Sequence, residues 1–198
     1  MIEELNASIN LILAQTQKNL PVLEIILIIP WLVFFCSHFI DQRLLLLGII
    51  PRQIRGLPGI LFAPLLHGNF NHIFFNTIPL LVLSNFILVN GLAYYLIVTV
   101  LITILSGLAI WCFAKPGLHI GASALITGYW SLLVVNIYQT ASLTTIILGI
   151  ISIYYFAGIF FGIFPNKKGV SWEGHLFGLL AGLATSYLLQ LYPMQNLF

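Results

Sequence analysis

The sequence predicts an all-α integral membrane protein: a six-transmembrane-helix bundle with a long membrane-embedded loop between helices 1 and 2. Three observations predict it. The 198-residue chain is 60% apolar, with a mean hydropathy of +1.06, and only 6% of its residues are charged, against roughly 25% in a soluble domain. Its few charges leave residues 56–114, 116–166 and 174–198 without a single Asp, Glu, Lys or Arg. The strict two-residue alternation of a membrane barrel is absent.

A spanning helix needs about 20 apolar residues, so the three charge-free stretches hold two, two and one spans. The apolar run 22–40 adds another, which places helices near 22–40, 71–89, 92–114, 121–137, 142–164 and 174–192. Their breaks fall at Asn90-Gly91 and between Asn136 and Thr140. Residues 1–21 form an N-terminal segment, read as a short surface helix through Ile2, Leu5, Ile9 and Ile12, and residues 22–198 form one membrane domain. Glu3 and Glu4, in place of a basic cluster, argue that the first span is a retained helix and not a secretory signal. Cys36 and Cys112 have no metal-ligand spacing, a net charge of +2 gives no case for nucleic acid, and no cofactor or metal is expected. The oligomeric state is not legible.

The connection 41–70 is long for a helical bundle and therefore reads as functional. Its apolar runs Leu44–Ile50 and Gly59–Leu66 are too short to span and are broken by glycines and prolines, as in a re-entrant segment. Such backbone persists at membrane depth only under cover of protein or water. Arg43, Arg52 and Arg55 hold its rim at the headgroups.

Helix parity gathers the polar residues. If the N terminus lies on side A, the second, fourth and sixth helices all start on side B, and near those starts stand His72 and Asn76, Ser123, and His175. His72 and Asn76, four apart, share a face. Ser123 follows Lys115 by eight residues and His175 follows Lys168 by seven, so the two reach similar shallow depths. Gly121, Gly128, Gly178, Ala181 and Gly182 form small-residue faces that allow close helix approach. A serine hydroxyl becomes a nucleophile when a base close by accepts its proton, and the oxyanion that forms needs preorganised donors. Ser123 and His175 are therefore the candidate dyad. His72, the Asn76 amide and the Ser123 backbone N–H are the candidate oxyanion donors.

Each residue also has a plainer reading. A membrane-helix serine commonly bonds back to a carbonyl, a buried histidine can rest neutral on the backbone, and an asparagine can join two helices. Convergence at one depth favours chemistry. No acidic residue is expected to orient His175, since Glu173, two positions earlier, lies off its face. His67 and His119 take supporting roles, and His38 is interfacial. Phe160, Phe161 and Phe164 are candidates to plug a lateral entrance.

At these residues the sequence resembles the rhomboid family of intramembrane serine proteases. The resemblance runs through GLPGILFAPLLHGNFNHIFFNTIPLLVL (56–83), HIGASALITGYW (119–130) and VSWEGHLFGLLAGL (170–183). The family's histidine-x-x-x-asparagine motif fits His72 and Asn76, its G-x-S fits Gly121 and Ser123, and its H-x-x-G-x-x-x-G fits His175, Gly178 and Gly182. The resemblance implies a Ser123 nucleophile, a His175 base, the oxyanion donors named above, and hydrolysis within or beside a transmembrane segment of a membrane-protein substrate. Three departures stand out. Ala124 replaces a common glycine, the long loop lacks the family's Trp-Arg pair, and Thr127 stands where an aromatic often stacks on the catalytic histidine.

Other classes fit these residues less well. An inactive relative that binds transmembrane segments keeps the fold without the chemistry, and a haem-binding or transport protein would use His72 and His175 but leave Ser123 and the glycine faces idle. Metalloprotease and aspartyl mechanisms lack H-E-x-x-H and paired aspartates. Six of the seven basic residues fall on side B, which by the positive-inside rule would place that side in the cytoplasm. The resemblance implies the reverse: a multi-pass plasma (inner) membrane protein whose site opens to the non-cytoplasmic side, and that is the expectation adopted.

Overall fold

The computed structural model describes residues 2–164 and 171–192. In chain order α1 spans Ile2–Phe39, 3-10 turns follow at Gln42–Leu47 and Ile54–Gly56, α2 is the single turn Gly59–Phe62, and another 3-10 turn occupies Ala63–Leu65. Then come α3 (Phe70–Leu88), α4 (Leu92–Phe113), α5 (Ser123–Gln139), α6 (Leu143–Phe156) continued by 3-10 turns over Ala157–Ile163, and α7 (Trp172–Leu191). Among the described residues the only β-type pairing is one isolated bridge, Ile49 with His119. This is a multi-pass helical membrane fold. α1, α3, α4, α6 with its extension, and α7 are long and apolar enough to cross a bilayer, and Ile54–Leu65 is a shorter apolar piece.

α5, at 17 residues, sits at the centre against α3, α4, α6 and α7. Leu125, Ile126, Tyr129, Leu132 and Leu133 along it are buried. The other helices keep large apolar side chains such as Ile28, Leu96, Ile150 and Leu180 exposed, as expected of surfaces that face lipid. Where α5 and α7 meet, side chains are nearly absent. A Cβ on Gly178 would collide with the Ala124 backbone, and one on Gly182 would collide with Gly128 and the Ser131 hydroxyl. Ser131 Oγ also donates to the Leu179 carbonyl at 2.9 Å.

Three helix boundaries differ from the sequence expectation. The first helix starts at Ile2 and not at residue 22, so no break divides residues 1–21 from the first span. Pro21 removes a single backbone bond, and contacts with α3, including Asn85 Nδ2 donating to Thr16 Oγ1 at 2.8 Å, hold the extra turns. The fourth begins at Ser123 and not at 121, because Gly121 has φ +113, outside the helical region. The fifth is α-helical only to Phe156.

The connection between α1 and α3 folds back onto the bundle. Gly59 packs on the Gly48 backbone and Gly56 on that of Ile50, which is why glycines recur there. The anchor that replaces a Trp-Arg pair within the loop is split between two elements. Trp111 of α4 donates its indole N–H to Gln53 O at 2.9 Å. Arg52, in the left-handed region at φ 59, gives its guanidinium to Cys112 O and Ala114 O at 3.2 and 2.8 Å. Both carbonyls lie at the end of α4, where a cation is favoured.

Candidate active site

Two caps, one helix start and one bridge set the site. Asn69 caps α3 by accepting the His72 backbone N–H at 2.9 Å, which fixes where His72 starts. Ser171 caps α7 by accepting Gly174 N–H at 3.2 Å. Ser123 is the first residue of α5, so its N–H belongs to the turn that has no helical acceptor. Just before it, Ile49 and His119 exchange backbone hydrogen bonds of 3.0 and 2.9 Å, and Gly121 N–H donates to Ala63 O at 2.8 Å, seating the connection between α1 and α3 against the start of α5.

His72, Asn76, His119, Ser123, Ser171 and His175 all line one cavity of about 560 Å³. A smaller void of about 40 Å³ lies beside Ser123, walled by Ile60, Ala63, Ser106, Ile110 and Ala124 among others. His67 is absent from the large cavity. It is 1% exposed, its Nδ1 donates to Leu65 O at 3.4 Å, and its ring stands edge-on to His72 at 5.0 Å. Burial first, and the neighbouring His72 charge second, push its pKa down to about 4, so His67 is a neutral support behind His72.

The His175 ring is held on two sides. Its Nδ1 lies 3.2 Å from Ser171 O, and because a carbonyl only accepts, this bond puts the proton on Nδ1 and leaves Nε2 as the basic nitrogen. Gly162 of the 3-10 segment lies against the ring, where a Cβ would come within 2.5 Å of Cδ2 and 2.9 Å of Nε2. The Gly162 backbone, and not an aromatic ring at position 127, packs on the imidazole. Thr127 itself is fully buried and donates to Ser123 O at 2.7 Å. On the opposite wall a Cβ on Gly121 would sit 2.5 Å from His72 Nε2. Asn76 Nδ2 is buried with no partner among the described residues, and no hydrogen bond joins Ser123 Oγ to His175 among them.

Sequence reasoning missed Ser171, Glu173 and Gly162. A serine just before an apolar helix is a readable cap, but nothing in spacing shows that its carbonyl would hold a histidine four residues on. Glu173 is off the His175 face as expected, yet it is buried and reaches Ser171 Oγ with Oε2 at 3.4 Å. Phe160, Phe161 and Phe164 are all exposed, and Phe160 lies 6.3 Å from Trp130.

Comparison with known proteins bears on this arrangement. Uncharacterised proteins of Mycobacterium bovis and Mycobacterium tuberculosis are each 39% identical over 168 residues, covering 80% of this chain and 70% of theirs. One of Mycobacterium leprae is 38% identical over 162 residues, 77% of this chain and 62% of its own. Residues 55–192 match the Rhomboid domain family, a span that takes in the embedded loop's end, the cavity and the glycine-packed α5 and α7. The chain belongs to the rhomboid family.

Proposed function

We propose that the chain is an intramembrane serine endopeptidase with a Ser123–His175 dyad, cleaving transmembrane segments of membrane-protein substrates. The observation that carries this reading is the opening of Ser123, His175, His72 and Asn76 onto one cavity, with the His175 tautomer that leaves Nε2 free to take a proton. Ser123 Oγ attacks the peptide carbonyl while His175 Nε2 takes its proton. His72, the Asn76 amide and Ser123 N–H receive the oxyanion, His175 returns the proton to the leaving amine, and water then hydrolyses the ester. The separation of serine from base in the free protein is compatible with this, since catalytic hydrogen bonds often tighten only with substrate. The 40 Å³ void beside Ser123 suits a small side chain next to the cut bond. Haem ligation is the poorer fit, because His72 Nε2 abuts Gly121.

We take α5 as the sixth crossing. Seventeen residues reach about 25 Å, short of a roughly 30 Å core, so its first residue sits below the surface and the cavity above it admits water. The site opens to the non-cytoplasmic side of the plasma membrane. In detergent, a fluorophosphonate probe is expected to label Ser123 and His175→Ala to abolish labelling. Persistent labelling of His175→Ala overturns the dyad.

A further inference from the structure

Glu173, Ser171 and His119 form a chain of polar contacts that the dyad does not itself require. Ser171 Oγ accepts from Gly174 N–H at 3.2 Å, lies 3.0 Å from His119 Nδ1, and lies 3.4 Å from Glu173 Oε2. Its carbonyl, in turn, holds His175 Nδ1. At the far end His119 Nε2 is 3.0 Å from Lys115 O. A carbonyl only accepts, so Nε2 carries a hydrogen.

That assignment restricts the rest. With one lone pair given to Gly174 N–H, the Ser171 hydroxyl has one hydrogen to donate and one acceptor site remaining. In one arrangement it donates to the bare Nδ1 of a neutral His119 and accepts from a protonated Glu173. In the other it accepts from Nδ1–H of a charged His119 and donates to a Glu173 carboxylate. The two differ only in where one proton sits along Oε2, Oγ and Nδ1, and both satisfy those three atoms. With Glu173 ionised and His119 neutral, two acceptors face the single hydroxyl hydrogen, and one of them is left without a donor. Glu173 is 7% exposed and its Oε1 has no partner among the described residues, a setting in which an uncompensated carboxylate is costly.

We propose that Glu173, Ser171 and His119 form one hydrogen-bonded chain that positions the His175 imidazole, a role that rests on the dyad reading above. The chain joins the start of α7 to the segment that leads into Ser123. That segment is itself tied to the embedded loop through the Ile49 and His119 backbone pair. The Ser171 carbonyl is thereby aimed by contacts on the nucleophile's side of the cavity, and the base is registered against the serine independently of the glycine contacts deeper in the bundle. All three are positioning residues, not catalytic ones.

The test is fluorophosphonate labelling of the detergent-solubilised full chain across probe concentrations, which separates the maximal rate from half-saturation. His119→Phe removes the Nδ1 contact and is expected to lower the maximal rate about tenfold or more, with half-saturation little changed, since small displacements of a base are paid mainly in rate. His119→Asn, which returns a polar atom near Nδ1, is expected to recover most of that loss. Glu173→Leu and Glu173→Gln repeat the contrast from the other end, the glutamine amide donating to Ser171 Oγ as the protonated acid would, and they decide the matter where His119→Phe does not fold. Wild-type rates in the disruptive variants, or equal losses in disruptive and conservative ones at matched thermal stability, overturn the chain while leaving the dyad intact. A wild-type protein that the probe does not label refutes the protease reading and the positioning role with it.

Discussion

Gly162 shows what a single residue does for the proposed base, His175. Its missing side chain lets the 3-10 segment after α6 lie on the His175 ring, and a Cβ there would meet Cδ2 at 2.5 Å and Nε2 at 2.9 Å. An imidazole already bonded to Ser171 O has little room to turn away. Gly162→Ala is therefore expected to tilt the ring and to slow fluorophosphonate labelling of Ser123 about tenfold, with little loss of thermal stability because no residue of the segment is fully buried. Unchanged labelling would show that the ring is held by Ser171 alone. None of this was legible from spacing. That Ser123, His175, His72 and Asn76 meet at one cavity could be read because parity and the charge-free stretches fix depth, whereas Gly162 depends on a helix loosening into 3-10 turns. Glu173 was set aside on helix-face grounds that hold true for direct contact. It reaches the site through a serine hydroxyl, a route that face arithmetic does not count.

Among the elements, α5 and α7 matter most, since one carries the serine and the other the histidine. Gly178 abuts the Ala124 backbone and Gly182 that of Gly128, so these helices pack backbone to backbone in the manner of small-residue membrane interfaces. A leucine at Gly178 would meet main chain and not a flexible side chain. The helices must separate or shear, and overpacking of that kind costs about 1–3 kcal/mol. Gly178→Leu is expected to lower the thermal midpoint in detergent and to abolish labelling of Ser123. A variant that keeps full labelling would mean that the dyad does not depend on this contact. The glycine pairing was readable because its four-residue spacing marks one helix face. The length of α1 was not, because Pro21 and the polar residues before it resemble a boundary, and only packing on α3, as at Thr16 and Asn85, carries the helix past them. The loop anchor was also hidden, since Trp111 lies in a helix far along the chain from Gln53 and Arg52.

For the molecule as a whole, the open choice is which way it sits, and charge counting alone favours side B in the cytoplasm. The described contacts weaken that count. Arg43 is paired with Asp41 at 3.0 Å, an interaction that also holds the Asp41 carboxyl below its usual range. Arg52 is spent on the last carbonyls of α4, and both arginines belong to a loop folded onto the bundle. A loop packed in this way is a poor topological signal compared with a short free connection. The cavity that Ser123 lines also takes in the starts of α3 and α7, which fits the outward-facing site we propose. In a Cys36→Ala, Cys112→Ala background, a cysteine at exposed Pro116 reports side B, and one at exposed Thr140, between α5 and α6, reports side A. A membrane-impermeant maleimide added to intact cells is expected to label Pro116→Cys and to spare Thr140→Cys until the cells are broken. The opposite pattern would place the cavity in the cytoplasm, and substrates would then have to present their cleavage sites from within.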